Sequence, residues 1–437
     1  MVYASTESDI TWDSNSVLLI VPVLADPYRH RNDNKVSFLY VYDFNSEQEW
    51  ILNYAHSDIK FCNIPVEQLV FSKVTFCYNS FILKQFGHNT IDADLCYWLN
   101  YNKPIEVDFS IDISSYHRWY RKLRNINNIV PIVNFIAYCR NIVLNFKEIF
   151  YDIEFDDSLE FYNHTVLGNL YKLEHSGIPC NVDVAREFYK DSRLSPILYS
   201  QYNIFTATGR PSNKFDGINY AALNKSSGVR KMISVSDPNE LLLEFDYDSY
   251  HIRLVADLIN YTFPEGNLHE YFGRQYFQKE TLDDEAYEMS KGVTFRMLYG
   301  EILDEFRHIE FFQKVAEYRY KIYEKFQNDG YIKMPISGRK IKRANFENLS
   351  STKLFNYILQ GHETERNMLV LTKIFSYLYN SKSRLILYTY DSLLFVYNKQ
   401  DGRNFIEDIT TILNDNSMKV NLKAGFNFHS MKRREYK

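Results

Sequence analysis

Leu241-Leu242-Leu243-Glu244-Phe245-Asp246-Tyr247-Asp248 is an apolar run that ends in carboxylates, and Leu385-Ile386-Leu387-Tyr388-Thr389-Tyr390-Asp391-Ser392 repeats that pattern late in the chain. A short apolar run bounded by polar residues reads as a buried strand. Each stretch therefore sets an aspartate, Asp246 or Asp391, at a strand end. Two carboxylates on neighbouring strand ends can hold two divalent cations about 3.5–4 Å apart, the arrangement that serves in-line phosphoryl displacement.

Outward from these strands, residues 250–259 carry apolar side chains at helical spacing, and 285–300, 311–327 and 354–378 read as helices. Residues 330–335 and 340–343 flank a turn at Ser337-Gly338, and 384–397 reads as a tight hairpin with Asp391 near its tip. Upstream, 17–24, 36–42 and 74–76 are β-like and are followed by 91–99, whereas 115–195 looks mostly helical, with a nearly continuous run over 129–150. The chain shows no internal repeat, no low-complexity linker and no heptads.

The 437 residues suffice for two to four domains or subdomains with ample core. A hydrophobic share of 45% and a charged share of 24% are those of an ordinary globular chain. A formal charge of −5 argues against a protein that coats nucleic acid, but leaves room for a local basic cleft. Candidate basic patches are 118–124, 339–343 and 432–434, although charge runs commonly mark solvated surface. Cys62, Cys77, Cys96, Cys139 and Cys180 lack paired metal-ligand spacing and read as buried thiols of a reducing cytosol. Residues 1–15 carry no signal pattern and no apolar run spans a bilayer, so a cytoplasmic protein, in the host cytoplasm if viral, is expected.

Tyr287, Lys291, Phe295 and Tyr299 recur at four-residue intervals and form one stripe along the 285–300 helix. A lysine on such a stripe can neutralise a triphosphate, while the rings offer a stacking platform for base and sugar. Taken alone, such a stripe is more often core. Asn356 and Gln360 share a face of the next long helix, and uncharged amides suit minor-groove acceptors, which look alike in all base pairs. The turn-rich Thr206-Ala207-Thr208-Gly209-Arg210-Pro211-Ser212-Asn213, continuing to Asn219, brings one arginine suited to a phosphate or base edge.

With these segments in order, residues 160–437 resemble the polymerase module of family A DNA polymerases (the DNA polymerase I family), most closely phage-encoded ones. Asp246-Tyr247 with Arg253 resembles the first palm motif and Tyr390-Asp391-Ser392 the second. Lys291-x3-Phe295-x3-Tyr299-Gly300 resembles the fingers helix, and Asn356 through Gly361 the Asn-x3-Gln-Gly segment. Thr208-Gly209-Arg210 and Leu268-His269 fit the flanking loops. The resemblance implies a multidomain α+β and α/β chain: a right-hand polymerase with antiparallel palm sheet, helical fingers and reduced thumb, preceded by an RNase H-like α/β exonuclease-type domain. The implied boundaries are 1–150 for a degenerate 3′–5′ exonuclease-type domain, 151–205 for a reduced thumb or connector, and 206–437 for palm and fingers, with fingers at about 264–345.

By position, the resemblance implies Asp246, Asp391 and the Tyr247 carbonyl as ligands of two Mg²⁺, with Mn²⁺ as a substitute. Lys291 would act on the α-phosphate and as a general acid toward pyrophosphate, and His269 on the β-phosphate. Phe295, Tyr299 and His251 would shape the nucleotide pocket, and Arg210, Asn219, Asn356, Gln360 and Tyr390 would meet DNA. The implied partners are primer-template DNA, deoxynucleoside triphosphates and a processivity or replisome protein, on a monomer without membrane attachment.

The chain departs from that family in several places. Tyr287 stands where an arginine clamps the triphosphate, with Arg296 a candidate substitute, and His251 where a glutamate excludes a 2′-hydroxyl. Tyr390 and Ser392 replace a usual histidine and glutamate around Asp391. Between the segment 173–179 and Thr206 the chain is too short for a long helical hairpin at about 1.5 Å per residue. Upstream, 76–81 and 91–95 resemble middle exonuclease motifs, but 20–24 lacks a carboxylate, Asn79 replaces one, and 138–141 lacks another, so proofreading is expected to be lost. The leading expectation is a primer-dependent DNA polymerase. Two alternatives are a ribonucleotide-tolerant polymerase and a non-catalytic primer-template-binding subunit.

Overall fold

Glu240–Tyr247 is the central strand of a five-stranded antiparallel sheet, between Ser392–Asn398 on one side and Val420–Gly425 on the other. Arg384–Tyr388 and Lys432–Arg434 are its edges. The computed structural model describes residues 1–26, 29–107, 130–190, 192–414 and 418–434, so the basic run 118–124 lies outside the described residues. The register sets Asp246 opposite Ser392, the neighbour of Asp391.

Side chains alternate across a strand, so Leu242, Glu244 and Asp246 share one face of the sheet. Leu242 joins a core with Ile386, Leu387, Leu394 and Val396 from the sheet and Met232 and Ile233 from outside it. On the opposite face Phe245 meets Phe395 at 5.5 Å, and Phe395 meets Phe405 of the helix Asn404–Leu413. A sheet covered on both faces needs near-continuous apolar strands, which is why Leu241-Leu242-Leu243 shows no polar alternation.

The helices around this sheet follow the chain: Tyr250–Leu258, Leu268–Phe277, Asp284–Tyr299, Glu310–Asp329 and Ser351–Leu378. Asp283 caps the third by accepting from the Ala286 amide, and Ser350 caps the last through the Lys353 amide. The 330–343 segment is the short hairpin expected, Tyr331–Lys333 against Lys340–Lys342. Lys432–Arg434, read as a basic patch, is the exposed edge strand of the five-stranded sheet.

The chain divides into two compact units, Met1–His175 and Ser176–Lys437. The break falls inside the 151–205 stretch. The first unit is built on a mixed six-stranded sheet. Its middle strands Val17–Leu24, Val36–Asp43 and Glu49–Asn53 pair antiparallel, and Val74–Cys77 and Ile91–Asp92 continue parallel to Val17–Leu24. The helix Ile132–Lys147 covers one face, with Phe135 against Phe38 and Phe146 against Phe76. Leu18, Ile20, Val41 and Trp50 bury the other.

In this unit Asp92 is engaged by the backbone. Its carboxylate accepts from the Ser80 amide at 2.9 Å and the Leu95 amide at 3.0 Å, capping the helix Ala93–Tyr101. Asp94 accepts from the Ile105 amide. Burial raises the pKa of both, and Asp94, beside Asp92, is pushed up to about 8. All five cysteines are buried and unbridged, and among the described residues no helix is long and apolar enough to cross a membrane.

Candidate active site

The Tyr247 amide donates to the Asp391 carbonyl oxygen at 2.8 Å, which closes the two central strands at the end that carries both aspartates. Both strands stop in strained turns. Ser249 and Tyr390 adopt left-handed backbone, φ 53° and 67°, which costs non-glycine residues about 1–3 kcal/mol and persists only where surroundings enforce it. Asn367 supplies that enforcement at Tyr390. Its amide donates to the Tyr390 carbonyl at 2.9 Å and to the Tyr388 hydroxyl at 3.0 Å, while its oxygen accepts from the Tyr250 hydroxyl at 2.6 Å.

The two carboxylates lie in unlike settings. Burial raises the pKa of Asp246, Glu244 adds to the rise, and Lys423 opposes it. Lys423 Nζ stands 2.8 Å from Glu244 and 3.4 Å from Asp246. Asp391 reaches solvent at the hairpin tip, yet lost hydration and then the Asp246 charge push it up to about 6. A carboxylate lifted by a like-charged neighbour is one a cation would return to its ionised form. The donor set is hard oxygen throughout, which suits Mg²⁺ held by one or two carboxylates plus substrate oxygens. Among the described residues no three His, Cys, Asp or Glu side chains converge on a cation, so a backbone carbonyl such as that of Tyr247 and the substrate would complete any such site.

The stripe on Asp284–Tyr299 is not core. Tyr287, Lys291, Phe295 and Tyr299 are all half-buried, whereas Ala286, Ser290, Thr294, Met297 and Leu298 form the packed face. Lys291 pairs with Glu288 at 2.7 Å and lies over the Tyr287 ring at 4.4 Å. Phe295 stacks on Tyr299, and the His269 ring lies 5.8 Å from Phe295. His269 is 5% exposed, its Nδ1 has no hydrogen-bond partner among the described residues, and burial lowers its pKa. Arg296 is exposed one turn before Tyr299.

A buried carboxylate ties this helix to the strands. Glu363, on Ser351–Leu378, is fully buried. It accepts from His251 Nε2 at 2.8 Å and pairs with Arg210 Nε at 2.8 Å. The other ring nitrogen, Nδ1, shares a hydrogen bond with the Tyr299 hydroxyl. The Arg210 guanidinium also stacks 3.6 Å above the Tyr390 ring, beside Asp391. One carboxylate thus joins four of the expected site residues, Arg210, His251, Tyr299 and Tyr390. Sequence reading missed it, because a glutamate within a long helix carries no motif of its own and its partners lie far off in the chain.

The Asn356 amide donates to the Tyr299 carbonyl at 2.9 Å, at the end of the striped helix, and Gln360 lies half-buried one turn on. Asn219 belongs to a separate three-stranded sheet, opposite Lys214. Arg253 holds Asp248 through that residue's carbonyl and its carboxylate. Gly361 packs where a Cβ would come within 2.6 Å of the Met334 terminal methyl and 3.1 Å of the Thr208 carbonyl oxygen, so a larger residue would crowd the loop before Arg210. Two further residues escaped sequence reading. Lys423 depends on strand register, and the buried Arg319 caps the striped helix by donating to the carbonyls of Met297, Leu298 and Gly300.

No protein-family model and no curated protein matches this chain. Among solved structures it is similar to the POL domain of Pol1 from M. smegmatis in complex with DNA primer-template and dNTP, with TM-score 0.65, 14% identity, and coverage of 95% of this chain and 96% of that one. The chain therefore has the fold of a DNA polymerase domain.

Proposed function

We propose that this chain is a template-directed, primer-dependent DNA polymerase of the family A type, adding deoxynucleotides to a primer 3′-hydroxyl. The observation that carries the reading is the closure of two aspartate-bearing strands by the Tyr247–Asp391 hydrogen bond, in a chain with a DNA polymerase domain fold. In this reading the five-stranded sheet is the palm, about 264–345 the fingers, and 151–205 a reduced thumb. When bound by Asp246, Asp391 and the Tyr247 carbonyl, Mg²⁺ supplies activation of the primer hydroxyl and charge stabilisation on the leaving pyrophosphate.

The remaining roles belong to side chains. Lys291 exchanges Glu288 for the triphosphate and gives a proton to the departing pyrophosphate. His269 donates to a phosphate oxygen from Nδ1–H, which has no partner among the described residues. Phe295 and Tyr299 form the face for base and sugar, and the His251–Glu363 pair fixes the Tyr299 ring angle by holding its hydroxyl. Arg210, Asn219, Asn356, Gln360 and Tyr390 meet the primer-template, and their uncharged amides read no sequence.

Residues 1–150 are proposed to be an exonuclease-type domain without proofreading. The support is that Asp92 accepts from the Ser80 and Leu95 amides and Asp94 from the Ile105 amide, so both carboxylates are committed to backbone. The setting proposed is phage DNA replication in a host cytoplasm, by a monomer that draws on a processivity partner for grip.

Extension of a labelled primer on a template, with Mg²⁺ and either deoxynucleotides or ribonucleotides, tests the proposal. Growth with deoxynucleotides alone is expected. Equal use of ribonucleotides would favour the tolerant-polymerase reading, which the histidine at 251 motivates. Tight primer-template binding without growth would overturn the enzymatic reading.

A further inference from the structure

The helix Ser351–Leu378 presents a second face, about a quarter turn from Glu363, to a cavity of about 870 Å³. Its walls are mainly apolar, with Tyr318, Ile336, Leu369 and Val370 among them. Two cationic side chains, Arg366 and Lys373, also line it, against one carboxylate, the exposed Asp257. Its volume lies in the range of sites for organic ligands.

One atom in the wall is unaccounted for by folding. His362 is 9% exposed and lines the cavity, and its Nδ1 has no hydrogen-bond partner among the described residues. An unsatisfied buried nitrogen is a net cost that an aliphatic side chain at that position would avoid. Burial and the Arg366 charge push the His362 pKa down to about 4, so the imidazole is neutral near pH 7 and can both donate and accept.

We propose that this cavity binds a small amphipathic organic anion, a ring-bearing apolar body with one carboxylate, sulfonate or phosphate group. The apolar walls take the body, Arg366 and Lys373 take the charge, and His362 meets a polar atom between them. Asp257 at the rim accepts a ligand N–H or O–H. An occupant would bear on the helical turn that carries Glu363. The binding claim does not rest on the polymerase reading.

Isothermal titration calorimetry of the full chain with 8-anilinonaphthalene-1-sulfonate tests it. One saturable site is expected, weakened about tenfold or more by Leu369→Trp, which fills the rim, and by Lys373→Glu, which reverses a charge. Both positions are exposed, and unchanged melting temperatures would show that the variants remain folded. The uncharged analogue N-phenyl-1-naphthylamine is expected to bind more weakly. Binding that neither variant alters, or no saturable binding, would overturn the site. Equal affinity for the uncharged analogue would overturn the anion class.

Discussion

The amide of Tyr247 reaches the carbonyl oxygen of Asp391 at 2.8 Å, and this contact holds the ends of two strands together where their carboxylates project. The backbone sets the spacing of Asp246 and Asp391 before any ligand arrives. The cost is visible in Asp391, whose ionised form the fold disfavours. That trade between stability and chemistry is open to measurement.

Asp391 is the clearest pH sensor. Its value in the fold, about 6, lies above its ordinary 3.8, so the folded state binds more protons between those limits and loses stability as pH rises through them. Asp391→Asn should therefore raise the melting temperature above pH 6 in chelator, and the gain should vanish near pH 4. Thermal melts across pH 4–8 check this, and a gain that grew toward low pH would have the wrong sign.

The same carboxylate should place an acid limb in the activity profile. At low Mg²⁺ the limb is expected near pH 6, moving lower as Mg²⁺ rises, because a cation favours the ionised form. Lys423→Met should bring Asp246 into the limb as a second group, by removing the charge that opposes its rise. Initial rates against pH at two Mg²⁺ concentrations would show both effects.

Glu363 should matter twice. Glu363→Ala leaves Arg210 and His251 without their buried partner and is expected to cost about 3 kcal/mol of stability, since removing one member of a buried pair strands the other. Glu363→Gln, nearly isosteric, should fold better but loosen His251 and Tyr299. Its mark would be a raised KM for the incoming nucleotide with primer-template affinity unchanged. A variant with wild-type KM would show that the His251–Tyr299 contact does not shape the nucleotide pocket.

Gly361→Ala should destabilise the chain by about 1–3 kcal/mol through overpacking against Met334 and the Thr208 carbonyl. Adding Met334→Ala should recover part of the loss, because the side-chain clash is relieved and the backbone one is not. Chemical denaturation of the single and double variants measures the difference.

Much of this site was legible in the sequence because its parts are local. The apolar runs ending in Asp246 and Asp391, and the four-residue stripe from Tyr287 to Tyr299, announce strand and helix by period alone, and the structure has them as Glu240–Tyr247 and Asp284–Tyr299. What stayed hidden is what long-range pairing decides. Glu363 meets Arg210 across 153 residues and Lys423 meets Glu244 across 179, and no periodicity reports such contacts. Nothing in the sequence marks His362 to Arg366 as interior, yet every residue there is buried, with Glu363 held by Arg210 and His251 and Glu365 by Ser337. The Asn356 donation to the Tyr299 carbonyl was hidden in the same way, a bond between residues 57 apart on different helices.

The most direct measurement is single-turnover primer extension by Asp391→Asn beside primer-template binding by the same variant. The carboxylate's role predicts that extension falls by about a thousandfold or more while the dissociation constant for primer-template changes little. Extension at wild-type rate, or a loss of binding that matches the loss of extension, would contradict it.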